Sequence, residues 1–169
     1  SLKSTQQEAT ISQIVKLTEE KRMLLIKTLC MDLMKIHSVK IVHGDLKPEN
    51  ILISRSQNGE LICKLIDFDD SYFSQKPPLP ADTMGTEEYW SPELAEYKVT
   101  EDTSLAFNIT CQSDIFALGL ILHEYCTGKM PDTHGGGNAY EYVYEGGILT
   151  ADKSIKSEKL RSLINSMLL

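Results

Sequence analysis

Nothing in this 169-residue sequence approaches the run of about 18 apolar residues that a membrane helix needs, so no membrane span is expected. The first ten residues are polar, with no basic stretch leading into an apolar run, which leaves no secretion signal. Cysteine is sparse. Cys30, Cys63, Cys111 and Cys126 contain no C-x-x-C pair and no histidine at zinc spacing, which excludes a zinc framework or a dense disulfide scaffold. A reduced, cytoplasmic chain is expected. Positive charge is also short, with 17 Lys and Arg against 24 Asp and Glu for a net charge of -7. Such a chain has no net attraction for phosphate backbones or anionic lipid, so neither nucleic acid nor membrane is an expected partner. Repeats and low-complexity blocks are absent.

What remains is ordinary globular composition, 41% hydrophobic and 24% charged, over a length that suits one domain or part of one. Apolar residues Ile26, Leu29, Cys30 and Leu33 recur at helical spacing, predicting a helix from Glu20 to His37. Three β-like runs follow, Lys40 to His43, Ile51 to Ser54 and Leu61 to Ile66, the last two joined by a polar turn with Asn58-Gly59. From Asp67 to Pro92 there is little periodicity and three prolines, which predicts a long functional loop. The stretch from Asp114 to Tyr125 has almost no polar face, which predicts a helix buried on all sides at the centre of the core. Gly135-Gly136-Gly137 reads as a loop and Ser157 to Leu169 as an amphipathic helix. The fold class expected is mainly α with a few short β-strands.

The chemistry concentrates in His43-Gly44-Asp45-Leu46-Lys47-Pro48-Glu49-Asn50, followed 17 residues after Asn50 by Asp67-Phe68-Asp69. Phosphoryl transfer from a nucleotide needs a carboxylate to orient the attacking hydroxyl, a cation near the moving phosphate and oxygen ligands for magnesium. Asp45, Lys47, and the pair Asn50 and Asp67 are those residue types in that order. H-x-D-L-K-x-x-N followed by D-F-x resembles the catalytic loop and magnesium motif of eukaryotic-type protein kinases. Gly85-Thr86 and Tyr89-Trp90-Ser91-Pro92-Glu93 are similar to the end of a kinase activation segment, and Ser113 to Gly119 to the start of the family's buried central helix. Lys47 and Thr86 together look like the Ser/Thr class.

The resemblance implies a catalytic set of Asp45, Lys47, Asn50 and Thr86, nucleotide contacts from Lys47, Asn50 and Asp67, and magnesium on Asn50 and Asp67. ATP and Mg2+ are the implied cofactors and a protein the implied substrate. His43, Glu93 and Asp114 take structural roles: His43 braces the loop, and Asp114 holds it through backbone amides. Residues 1–19 become a lead-in and 20–169 a kinase C-terminal lobe, with catalytic loop 43–50, activation segment 67–93 and central helix 114–126. Ser71, Tyr72, Ser74 and Thr83 are candidate phosphorylation sites.

Three departures qualify this reading. Gly44 stands where regulated kinases carry Arg, and Asp69 where the family has Gly. The 42 residues before His43 hold neither a G-x-G-x-x-G strand pair nor a strand lysine with a helical Glu partner. An α+β kinase fold lacking its N-terminal lobe is therefore expected, with the missing half of the cleft coming from outside this stretch or from another chain, and the arginine partner of Glu93 beyond Leu169. The parent would transfer the γ-phosphoryl group of ATP to Ser or Thr of a protein, the fragment alone being inactive. Two alternatives stand: a pseudokinase or scaffold lobe that binds a protein partner, and an aminoglycoside- or choline-type phosphotransferase, suggested by His-Gly-Asp and Ile66 to Asp70.

Overall fold

The computed structural model describes residues 11–169; the first ten residues of the expected lead-in lie outside the described residues. Residues 11–15 are helical, and the first long helix, α1, runs Glu19–Ser38. It begins one residue earlier than periodicity suggests because the Thr18 side chain caps it, accepting from the Lys21 amide at 3.5 Å. Glu19 and Glu20 in the first turn, with Lys35 and His37 in the last, complement the helix dipole. Leu25, Ile26, Leu29 and Leu33 face inward and cover the hairpin of β2 (Ile51–Arg55) and β3 (Leu61–Leu65).

Those two strands pair antiparallel from Ile51 opposite Leu65 to Arg55 opposite Leu61. A second two-stranded sheet joins β1 (Ile41–Val42) to β4 (Tyr72–Phe73). The loop expected over 67–92 therefore contains structure. Besides β4 it holds 3-10 turns at Pro80–Asp82 and Glu87–Tyr89, pieces too short to leave a periodic trace. The structure also shows that two of the candidate phosphorylation sites are sequestered, Tyr72 at 8% exposure and Thr83 at 3%.

Among the described residues the helix at 11–15, the 3-10 helix Thr103–Asn108 and two further helices had no counterpart in the expectations. α2, Pro92–Thr100, starts at the Ser91 N-cap with Pro at its first position, and α4, Ala139–Tyr144, is one and a half turns long. The central helix α3 spans Cys111–Thr127, three residues earlier than Asp114, because Thr110 caps it and Gly128, at φ +81°, ends it in the left-handed region. Every residue from Phe116 to Tyr125 on it is buried; Ile115 alone between Ser113 and Tyr125 is partly exposed. α5, Glu158–Met167, packs on α3. The contact is close: a Cβ at Gly119 would lie 2.9 Å from Met167 Cβ and from a Leu168 methyl. The architecture is mainly helical with small sheets, as its sequence suggests. Among the described residues no helix is long and apolar enough to cross a membrane.

Candidate active site

The buried helix α3 reaches the site through one side chain. Asp114, 3% exposed, accepts from the His43 amide at 2.7 Å and the Gly44 amide at 3.3 Å, and its Oδ2 also lies 2.8 Å from His37 Nε2 at the end of α1. One carboxylate thus ties the long helix, the central helix and the start of the 43–50 loop. Charge-assisted bonds of this kind are about twice as strong as neutral ones. His43 is fully buried; its ring packs 5.0 Å from the Phe68 ring, and Nε2 lies 3.1 Å from the Ile66 carbonyl oxygen.

Gly44 has φ +84°, and a Cβ there would sit 2.3 Å from the Asp70 carbonyl oxygen. No side-chain-bearing residue fits without moving one of the two backbones. The 43–50 loop and residue 70 therefore meet backbone to backbone at Gly44.

Asp45 is the hub. Thr86 Oγ1 donates to Asp45 Oδ1 at 2.8 Å, Lys47 Nζ pairs with Oδ2 at 2.5 Å, and Asn50 Nδ2 donates to Asp45 Oδ2 at 3.1 Å and to its backbone carbonyl at 2.8 Å. Lys47 Nζ also donates to Thr86 Oγ1 at 2.6 Å, closing the ring. Burial pushes the Asp45 carboxyl up. The hydrogen bonds from Lys47, Thr86 and Asn50 and the charge of Lys47 more than offset this and hold it below the ordinary carboxylate value. Asp45 is therefore an acceptor at neutral pH, suited to orienting a hydroxyl proton.

The structure brings Asp45, Lys47, Asn50 and Thr86 into one bonded cluster. Asp67 is not hydrogen-bonded into it. It stands exposed at φ +64° at the end of β3, where it lines a cleft of about 830 Å³ together with Lys47, Asn50 and Thr86. Ile14, Leu17, Leu25, Ile51, Ile53 and Ile66 supply the apolar lining of the same cleft. Asn50 spends its amide hydrogens on Asp45, which leaves a carbonyl oxygen. With the Asp67 carboxylate this makes a pair of hard oxygen donors, suited to magnesium that keeps waters and phosphate oxygens as its other ligands. Glu93 accepts from Ser113 Oγ at 2.9 Å, so α2 is tied to α3 within the described residues.

A second open groove of about 660 Å³ leads away from Thr86 past Glu49, Glu88, Tyr89 and Glu124. Tyr89 OH donates to Glu124 Oε2 at 2.8 Å; burial pushes the Glu124 carboxyl up to about 6, the Tyr89 bond working against that. Sequence reasoning missed Glu124. It lies in the apolar run of α3, and its partner Tyr89 is 35 residues away on a separate 3-10 turn, so no local spacing signals the pair.

A profile of the protein kinase domain matches residues 2–169. The chain is 32% identical over 128 residues to Aurora kinase A-A of Xenopus laevis, covering 73% of this chain and 28% of that protein. It is 31% identical over 151 residues to calcium-dependent protein kinase 4 of Plasmodium falciparum, covering 86% and 26%. With serine/threonine-protein kinase Nek1 of Toxoplasma gondii it shares 36% over 97 residues, 54% of this chain and 6% of that protein. The chain thus spans less than a third of the length of these relatives. A loop carrying Asp45, Lys47 and Asn50, hung from a buried aspartate and closed by Thr86, accompanies a match over nearly the whole sequence: the chain belongs to the eukaryotic-type protein kinase family.

Proposed function

We propose that this chain is the C-terminal lobe of a Ser/Thr protein kinase, with ATP and Mg2+ as cofactors and a protein hydroxyl as acceptor. The observation that carries the reading is the closed ring of Asp45, Lys47 and Thr86, buttressed by Asn50. Asp45 receives the acceptor hydroxyl and orients its oxygen for attack. Lys47, held between Asp45 and Thr86, supplies positive charge where the transferred phosphoryl group passes. Asn50 and Asp67 are the residues that would hold magnesium, which when bound neutralises charge on the nucleotide phosphates. The apolar wall of the larger cleft suits a nucleotide base, and the open groove past Glu49 and Tyr89 suits an extended polypeptide better than a small sugar or choline.

Among the described residues the strand pair at the 830 Å³ cleft is the β2–β3 hairpin, which lines it, and the β1–β4 pair lies elsewhere. The 169 residues alone turn over little, and full activity belongs to a protein in which a nucleotide-covering lobe stands above them. In such a protein Asp45→Asn lowers phosphate transfer from labelled ATP to a protein substrate by about 10²- to 10⁴-fold, the range for loss of a positioned base. Unchanged turnover in Asp45→Asn overturns the reading; turnover on small hydroxylated molecules with none on protein moves it to the small-molecule phosphotransferases.

One observation favours the scaffold reading, a lobe that binds a partner without chemistry. Asp69 adds a carboxylate beside Asp67 and Asp70. The Asp70 carboxyl is raised by partial burial and then by its neighbours Asp45 and Asp67. Absence of magnesium-dependent nucleotide binding at the cleft would support that alternative.

A further inference from the structure

Thr86 belongs to a segment with little regular structure, yet its hydroxyl meets Asp45 and Lys47 at hydrogen-bond distance. Something must hold that segment. The preceding residues offer two swivels: Gly85, at φ +109°, and the extended link from Thr83. Gly85 lies so close to the Gly44 carbonyl oxygen that a Cβ would approach to 2.9 Å, so the segment is pressed against the 43–50 loop rather than free of it.

The grip comes from α2. Tyr97 OH donates to the Pro78 carbonyl at 2.8 Å, one turn of loop upstream. Lys98 reaches further in: its Nζ donates to the Thr83 carbonyl and lies 4.9 Å from the centre of the Trp90 ring. Thr83 and Trp90 bracket Gly85 and Thr86 on either side. A single ammonium therefore contacts both ends of the short stretch that delivers the Thr86 hydroxyl. Cation–ring and charge-assisted carbonyl contacts of this type gain strength when water is excluded. The Lys98 ammonium is partly desolvated, which pulls its pKa below the ordinary lysine value, with the Asp70 charge acting in the opposite direction. Asp70 is the residue whose carbonyl covers Gly44, so the charge that faces Lys98 sits at the same backbone contact.

We propose that Lys98 is a positioning residue for the active site: it fixes Thr83 and Trp90 so that Thr86 is presented to Asp45, acting as a cation built into the fold. This rests on the reading of Asp45 and Thr86 as the working pair only for its functional meaning, since the coupling itself is measurable without turnover. Lys98 acts on Thr83 and Trp90 rather than on Asp45 or Lys47, and its effect travels along the backbone from Thr83 to Thr86. The Thr83 hydroxyl is spent on the Pro78 and Leu79 carbonyls at 3.1 and 2.9 Å, so a phosphate at Thr83 would break the same clasp rather than reinforce it.

The test follows the Thr86 side-chain rotamer by three-bond NMR couplings to its methyl carbon in the full 169-residue chain, with amide hydrogen exchange read in parallel. Lys98→Met removes the clasp; Lys98→Gln keeps a donor without charge; Lys98→Arg keeps both. The expected result is a Thr86 side chain that averages over more than one rotamer in Lys98→Met, because its hydroxyl is no longer presented to Asp45, and a return to the single wild-type rotamer in Lys98→Arg. Exchange of amides 83–90 should quicken by about tenfold in Lys98→Met and recover with Arg. A Thr86 rotamer unchanged in Lys98→Met and Lys98→Gln overturns the proposal, whatever the exchange shows, because Lys98 would then staple the segment without setting the site. Should Lys98→Met fail to fold, Lys98→Gln against Lys98→Arg decides by the same couplings. Loss of turnover in an Asp45 variant plays no part in the outcome, so failure here and failure of the kinase reading are separable.

Discussion

The 43–50 loop and the 67–91 segment both contribute to the site, and they are held in opposite ways. The first is anchored to the most buried helix of the molecule through the backbone, with two amides on one carboxylate and His43 sealed beneath Phe68. The second is tied through its backbone only near its start, where β4 pairs with β1, and from Lys76 on it is held by side chains reaching in from elsewhere: Tyr97, Lys98, Glu124 and the Lys47–Thr86 pair. A loop pinned through its backbone to a core helix opens only when the core does. One pinned by side-chain tips releases locally at much lower free energy. The site is therefore half rigid and half adjustable, and the boundary between the halves runs between Asp45 and Thr86.

That contrast breaks most severely at Asp114. Asp114→Asn weakens the bonds to both amides and to His37, and unfolding by urea should show a loss of about 3 kcal/mol, the cost of degrading a buried charged partner. A loss no larger than that of a surface change would mean that the loop is not carried by α3. Next comes Gly44→Ala, which forces a Cβ to within 2.3 Å of the Asp70 carbonyl oxygen. A destabilisation of about 2 kcal/mol is expected from strain at a positive φ combined with displacement. Hydrogen exchange should rise in residues 68–71, between β3 and β4, before it rises in 43–50, because that stretch has no inter-strand pairing whereas the amides of 43 and 44 are bonded to Asp114.

The smallest effect sharpens the comparison at the bond that ties the second region to α3, from Tyr89 to Glu124. The folded Glu124 pKa, about 6, lies above its ordinary value of 4.5, so the native state binds the proton more tightly than the unfolded chain. Stability contributed by that proton is present below pH 4.5 and is lost as pH rises through 6. Glu124→Gln, which still accepts from Tyr89, should match the wild type near pH 4 and exceed it above pH 6 by up to about 2 kcal/mol. Thermal melts at a series of pH values read the crossover directly.

Much of this was legible beforehand where local chemistry is dense. The helix from Glu20 to His37, the hairpin around Asn58-Gly59 and the apolar core helix all follow from periodicity and turn residues, and Asp45, Lys47 and Asn50 stand in one short motif. α2 is hidden because Ser91-Pro92-Glu93 serves at once as a family-like motif and as a helix start, with Ser91 as the N-cap and Pro92 at the first position. α4 is too short for periodicity to show. Lys98 and Glu124 could not be read from spacing. Their partners, Thr83 and Tyr89, are 15 and 35 residues away, and such pairings are set by how α2 and α3 pack rather than by any local pattern.

Gly119 and Leu168 make a different kind of pair. The helix that carries Asp114 has a notch where a side chain would be, and the leucine just past α5 fills it to 2% exposure. A side chain at 119 would meet the Met167 Cβ as closely as the Leu168 methyl, so added volume there must be relieved by a change at 168 together with a shift of the backbone at 167, and 119 and 168 should vary together across natural variants. A substitution at 119 tolerated in one background would be lethal to packing in another, and the residue that decides which lies at the far end of the sequence from the catalytic loop.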